Sequence, residues 1–205
     1  MKPAVYLIGG GGHARSLLAA GFDAHFRGYV DVKPNPELDI NYVGNDKDFL
    51  SDDPAIPMPV HIAVISGKDC TMALRRKIIE HYKNNPMVSL IAPTAEMAPG
   101  TVIGVGSAIM RACVINGSKI GKYCVVNTGA ILEHDVDLGE NVFIGPGAVV
   151  CGGVTIGDDC YIGANATIRN GVTIASGVTV GMGSVVIHDI TSPGIYTGNP
   201  CRKIK

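Results

Sequence analysis

Glu133-His134-Asp135 is the stretch of this 205-residue chain best suited to chemistry. An imidazole between two carboxylates can take a proton from an attacking nucleophile near neutral pH. A neighbouring carboxylate can hold its tautomer and raise its basicity. A surface histidine with acidic neighbours is the plainer alternative, and the residues alone leave it open. A second constellation lies near the start, where Gly9-Gly10-Gly11-Gly12-His13-Ala14 follows an apolar run and opens a helical pattern. Glycines there let the backbone approach a phosphate, and the N–H groups of a helix start attract its charge. Asp31, twenty residues after Gly11, stands where an acid would bind a ribose hydroxyl or a nucleobase. The α/β part is too short for a full dinucleotide fold, which disfavours NAD.

The elements that must position these groups divide the chain in two. Over residues 1–86 the pattern is a small α/β unit with a parallel sheet, Rossmann-like. Strands are expected at Ala4–Ile8, Phe26–Val30 and Val60–Ile65, with helices near His13–Ala20, Asp46–Leu50 and Thr71–Tyr82. Pro34 and Pro36 mark a loop, and Asn84-Asn85-Pro86 ends the pattern. From Ile91 the period becomes six: Ile91, Met97, Ile103, Ile109 and Ile115. The phase slips by one residue, and twelve aliphatics then keep register from Ile120 to Val186. Four residues after each aliphatic stands a small or β-branched residue, such as Cys124, Ala130, Val136 or Val142. Glycine often follows the aliphatic directly (Gly121, Gly139, Gly145, Gly157, Gly163, Gly181), which reads as supply for unusual turn angles. This hexad repeat over 87–205 is the signature of a parallel β-helix of about five coils.

Composition fits a narrow aliphatic shaft: hydrophobic residues are 46%, aromatics only 5%, and there is no Trp. A net charge of −1 without a dense Lys/Arg run argues against a nucleic-acid partner. No stretch has the length of a membrane span and no signal peptide precedes the first glycines, so a cytoplasmic protein is expected. Cys70, Cys113, Cys124, Cys151, Cys160 and Cys201 form no Cys-x-x-Cys pair and read as small buried thiols, not disulfides or metal ligands. With only His134 and His188 in the repeat region, a three-histidine zinc site is not expected, and no metal is invoked. Irregular Thr placement argues against a flat ice-binding face.

The repeat resembles the left-handed β-helix of hexapeptide-repeat acyltransferases, and Thr197-Gly198-Asn199-Pro200-Cys201-Arg202 is similar to their Gly-x-Pro-Ala-basic tail, with Cys201 in place of Ala. With the α/β unit in front, the whole chain resembles the sialic acid and sugar O-acyltransferase family. The branch it most resembles N-acetylates UDP-linked 4-amino-4,6-dideoxy sugars in bacterial glycan biosynthesis. That resemblance implies acetyl-CoA as acyl donor, a UDP-linked amino sugar as acceptor, and a homotrimer with sites between subunits. O-acetylation of sialic acid or a related sugar hydroxyl is the alternative activity. By the same resemblance His134 is the general base and Asp135 its supporting carboxylate, with Glu133 as the other candidate. Gly11, Gly12, His13, Asp31 and Ile65 match the nucleotide site, and Asn127 a sugar contact or a turn-former. Phe143, Gly152, Ala164 and Met182 match positions along the acetyl-CoA groove, Gly152 either as an oxyanion donor through its N–H or as a turn glycine. The sequence departs from the family at Val32, where an acidic or polar residue is common, at Ile65-Ser66-Gly67-Lys68, and at Phe143, a histidine in some relatives.

Overall fold

The computed structural model describes residues 3–51, 58–66 and 70–205. Gly67 and Lys68, part of the turn after the expected third strand, lie outside the described residues. The α/β part forms a four-stranded parallel sheet in the order β3-β2-β1-β4, with β1 Ala4–Ile8, β2 His25–Val30, β3 Tyr42–Gly44 and β4 Val60–Ile62. Its helices are α1 Gly12–Ala19, α2 Asp46–Ser51 and α3 Ala73–His81. Alternation along the strands sorts the side chains to two faces. Leu7 and Tyr29 pack on Ala14 and Leu17 of α1, and this cluster continues into the shaft of the coil. Ile8, Val30, Val60 and Ile62 face the other way and pack on Phe49 of α2, on Ile79 of α3 and on Tyr82 just after it. β1 has β2 on one side and β4 on the other, so a crevice opens at its carboxyl end, where α/β sheets hold ligands.

Sequence reading missed β3. The strand has only three residues after a proline-rich loop, too few to show a period, and exists because it can pair with the edge of β2. Gly28 makes that approach possible: a Cβ there would lie 2.7 Å from the Asn41 carbonyl oxygen. The chain leaves the α/β part without a free linker, since Val60 N–H donates to Pro86 O and Val88 N–H to Val60 O, both at 2.9 Å.

The second half is a left-handed parallel β-helix with three faces. Its first face contains Leu90–Ile91, Ala108–Ile109, Val125–Val126, Phe143–Ile144, Tyr161–Ile162 and Val178–Val180, and is extended by Gly194–Thr197 and Arg202–Lys203. The second runs from Glu96–Met97 through Ile131–Leu132 and Val149–Val150 to Val185–Val186. The third runs from Val102–Ile103 through Asp137–Leu138 to Thr173–Ile174. The hexad aliphatics point inward and are buried from Ile109 to Val186, together with the residues four positions later, Cys124, Cys160 and Ser184 among them. Ile91 and Met97 are each 40% exposed, because they line the first coil and no further coil stacks beneath them among the described residues.

The glycines divide differently from the turn-angle expectation. Those directly after the aliphatic have no left-handed φ; instead the next coil lies too close for a side chain. A Cβ on Gly145, for example, would sit 2.6 Å from the Ala164 nitrogen. Left-handed angles fall elsewhere in the corners, at glycines such as Gly153 and also at Asp135, Asn141, Asp159 and Asn165. Among the described residues no helix is long and apolar enough to cross a membrane.

Candidate active site

His134 occupies the corner between the second and third faces. Leu132 anchors this corner in the shaft, and Asp135 turns the chain at φ 59°. The His134 carbonyl accepts from Gly153 N–H of the coil above at 2.9 Å. His134 Nδ1 lies 2.9 Å from Asp135 Oδ2. A carboxylate only accepts, so Nδ1 carries the proton and Nε2 keeps the lone pair a base needs. Glu133 is engaged elsewhere: its Oε2 accepts from Asn116 Nδ2 at 3.1 Å. Asp135 is therefore the carboxylate that partners the imidazole. The pair is open to solvent in one chain, with the histidine side chain 73% exposed and the aspartate 82%.

The corner directly below is one residue short. Asn116-Gly117-Ser118 links Val114–Ile115 to Lys119–Ile120, and this is the phase slip of the hexad repeat. Ser118 is buried there and donates to the Glu133 carbonyl at 2.8 Å. The slip in period thus marks the coil that supports Glu133-His134-Asp135. From above, the imidazole lies against Gly152, where a Cβ would come within 2.5 Å of His134 Nε2 and Cε1.

The other residues expected at the transfer site fall on different parts of the coil. Asn127, whose Oδ1 accepts from Thr128 N–H at 2.7 Å, lies at the corner between the first and second faces. Ala164 and the 75%-exposed Met182 share that corner in higher coils. Phe143 points outward from the first face but is buried, its ring stacked on Tyr161 at 4.8 Å. The whole outer column of that face, Leu90, Ala108, Val125, Phe143, Tyr161 and Thr179, runs under the chain's own α/β part. Thr179 Oγ1 donates to Cys70 O at 3.2 Å, and Arg75 to Asn141 Oδ1 at 3.3 Å. Within one chain, Gly152 alone among these residues is brought to His134.

At the carboxyl edge of the sheet, Asp31 fastens the glycine turn. Its Oδ2 accepts from Gly10 N–H at 2.7 Å and its Oδ1 from Val32 N–H at 2.6 Å. Gly9 and Gly10 serve the protein's own packing: Cβ atoms there would fall 2.5 Å from Val64 Cγ2 and 2.6 Å from the Tyr29 ring. Gly11 and Gly12 are exposed at the start of α1, and among the described residues nothing beyond its chain neighbours lies within 4 Å of the space a Gly11 Cβ would take. Ile65 is half-buried and packs on the core, and Val32 is exposed. Sequence reading did not single out Lys77 and His81, one turn apart on α3, which line a cavity of about 340 Å³ with Asp31. Their i, i+4 spacing on a helix packed against the sheet was the available signal.

His13 turns inward. Its Nε2 is buried and has no hydrogen-bond partner among the described residues. Burial first, then His61 and Arg75, lowers its pKa to about 3. His61 is fully buried with Nδ1 2.8 Å from Val88 O, and burial lowers its pKa to about 4. Both values are depressed from 6.5, so the unfolded chain binds protons that the folded chain refuses. Stability should therefore fall as pH drops below 6.5, by about 1.4 kcal/mol per histidine per pH unit, until the folded-state values are reached. Urea midpoints at pH 7.5 and 5 check this; H61Q should halve the difference, and an unchanged difference would refute the assignment.

Comparisons with known proteins agree with this architecture. The family model described as bacterial transferase hexapeptide (six repeats) matches residues 117–152, 135–170 and 153–188. A search of curated proteins finds no match. Among solved structures, PerB from Caulobacter crescentus, in complex with CoA and GDP-perosamine, is 29% identical. It superposes with a TM-score of 0.84 over 98% of this chain and 97% of that one. WeeI from Acinetobacter baumannii, at 22% identity and a TM-score of 0.81, covers 99% of this chain and 100% of its own, and shares the fold. The acetyltransferase domain of PglB from Neisseria gonorrhoeae, solved with acetyl coenzyme A, is 30% identical with a TM-score of 0.87 and 100% coverage of both chains. Identity of that extent, spanning α/β part and coil alike, makes this chain a member of the hexapeptide-repeat acetyltransferases.

Proposed function

We propose that the chain transfers an acetyl group from acetyl-CoA to the amino group of a UDP-linked 4-amino-4,6-dideoxy sugar in bacterial glycan biosynthesis. The observation that carries this reading is the His134–Asp135 pair at 2.9 Å, set at an open corner of a transferase coil. Acetyl-CoA supplies a thioester whose carbonyl an amine can attack. His134 Nε2 takes the proton released as the amine attacks, and Asp135 stabilises the imidazolium that forms. The same imidazolium can return that proton to the departing thiolate, which closes the proton balance. Gly152 N–H is our candidate donor to the carbonyl oxygen as its charge grows.

The residues fit such a donor in part. Half-buried Ala164 and exposed Met182 offer an apolar track beside the second face. Phe143, covered by Tyr161 and the α/β part, does not fit this track. The outer column of the second face supports a homotrimer: above the exposed Glu96 and apart from Thr167, its residues Val114, Ile131, Val149 and Val185 are aliphatic and half-buried. The third face instead presents Lys119, Asp137, Thr155 and Thr173 to solvent, with Val102 of the first coil the aliphatic residue in that column. Packing the second face against another copy would bring the Asn127 corner of one chain toward the His134 corner of the next. In this reading residues 1–86 hold the nucleotide, residues 87–205 carry out transfer, and the protein works in the cytoplasm. Release of CoA thiol is the test, with UDP-4-amino-4,6-dideoxy sugars and free sialic acid as acceptors. Turnover with the amino sugars is expected; turnover with sialic acid alone would replace N-transfer by O-transfer.

A further inference from the structure

The cavity at the carboxyl edge of the sheet has the chemistry to read a base. Its inner wall is apolar, built from Ile8, Val30, Val64 and Ile78, which suits the faces of a planar ring. Its rim is charged, with Asp46 at the start of α2 opposite Lys77 and His81 on α3. A second cavity of about 400 Å³ shares Val32, Asp46 and His81 with the first, so the two open on one trench. Their sizes lie in the usual range for small-molecule sites, about 300–1,000 Å³. Tyr82 fixes the carboxylate by donating to Asp46 Oδ1 at 2.6 Å. Asp46 Oδ2 is left toward His81 Nε2, 4.0 Å away.

The rim is therefore an acceptor flanked by donors. A carboxylate can only accept, and an ammonium can only donate. The complementary ring edge is an N–H beside a carbonyl. Uracil and thymine present it at N3–H and O4, and guanine at N1–H and O6. Cytosine and adenine present the reverse, a bare ring nitrogen beside an amino group. Facing Asp46, that bare nitrogen would leave two acceptors opposed, a mismatch that polar sites reject strongly. Asp31, which also lines the cavity, already accepts from Gly10 and Val32 and so ties the cavity to the glycine turn.

We infer that Asp46, Lys77 and His81 form a nucleobase subsite that selects uracil, thymine or guanine over cytosine and adenine. Asp46 accepts the ring N–H, and Lys77, assisted by His81, donates to the adjoining carbonyl. The inference rests on the nucleotide-sugar reading above and adds what in this chain discriminates among nucleotides.

Calorimetric titration of the full chain with UDP, GDP, dTDP, CDP and ADP tests it, with CoA as a separate titrant. UDP, GDP or dTDP should bind at least about tenfold more tightly than CDP and ADP, as expected for one opposed charged hydrogen bond. D46N keeps an acceptor for Tyr82 but adds an amide donor, and should reduce that preference to less than about threefold. K77M, which keeps the length of the side chain, should weaken the favoured nucleotides by roughly tenfold and provides a second variant should D46N not fold. Equal binding of all five nucleotides overturns this inference alone, as does a preference that neither variant alters. Binding of CoA with no binding of any nucleotide overturns the nucleotide-sugar reading beneath it.

Discussion

H134A is expected to lower turnover by roughly 10²- to 10⁴-fold, the range for loss of a positioned general base. The fold should survive. The side chain is 73% exposed, and its hydrogen bond is made to Asp135 on the same corner, so its removal leaves no hole in the shaft. On the proposed base role the KM values should change little, because a general base acts on a proton in transit and does not hold either substrate. D135N should give a smaller loss of the same kind, since an amide can present its N–H₂ to Nδ1 and stabilise the wrong tautomer. Glu133 provides the internal control. Its carboxylate is held by Asn116, so E133Q should retain most activity although it neighbours the histidine as closely as Asp135 does. CoA-thiol release at saturating substrates, with circular dichroism to verify folding, measures all three. Near-wild-type turnover in H134A would remove the base assignment. Equal losses in E133Q and D135N would remove the assignment of Asp135 as partner.

The reason Asp135 and not Glu133 serves His134 shows where sequence reading stops. The deciding contact comes from Asn116, seventeen residues earlier and one coil below, in the corner that is short by a residue. The hexad slip was plain in the spacing; that it shapes the support of the histidine required the coil to be stacked. The coil itself was legible because its constraint is local and repeated. Every corner must return the chain to the shaft, so each hexad places an aliphatic and then a small residue at fixed positions. The α/β part lacks such repetition. Its longer strands and helices were readable from apolar runs, whereas the edge strand Tyr42–Gly44 depends on pairing with β2.

Contacts between the two parts leave no period at all. Family resemblance places Phe143 in the acetyl-CoA groove, yet it is buried against Tyr161 on the face that the α/β part contacts at Asn141 and Thr179. His13 follows the glycine turn like a ligand-facing residue, yet its ring is directed toward His61 and Arg75. Asp31 stood out by spacing, but its observed bonds hold the turn together, and the charged rim with Lys77 and His81 comes from a helix more than forty residues later.

G152A is the second large expected loss, and it separates clearance from turn-making. Gly152 was legible only as a glycine in a turn or a candidate N–H donor. Its φ is not left-handed, so alanine meets no backbone strain, in contrast to its neighbour Gly153 at φ +69°. What the added methyl meets is the imidazole, with His134 Nε2 and Cε1 both 2.5 Å from the new carbon. The ring is mostly exposed and can swing outward, so the cost falls on its position and not on the fold. Displacement of a catalytic group by about 1 Å can cost about 10²-fold in rate. G152A should therefore cut turnover by roughly that factor with an unchanged thermal midpoint. A double-mutant cycle identifies the cause. If the methyl acts by displacing the imidazole, adding G152A to H134A should have almost no further effect. If Gly152 is needed for its N–H at the carbonyl oxygen, the two losses should multiply, because alanine changes the approach to that donor whether or not the ring is present. A loss of stability in G152A without a loss of turnover per folded molecule would leave the residue a turn-former only.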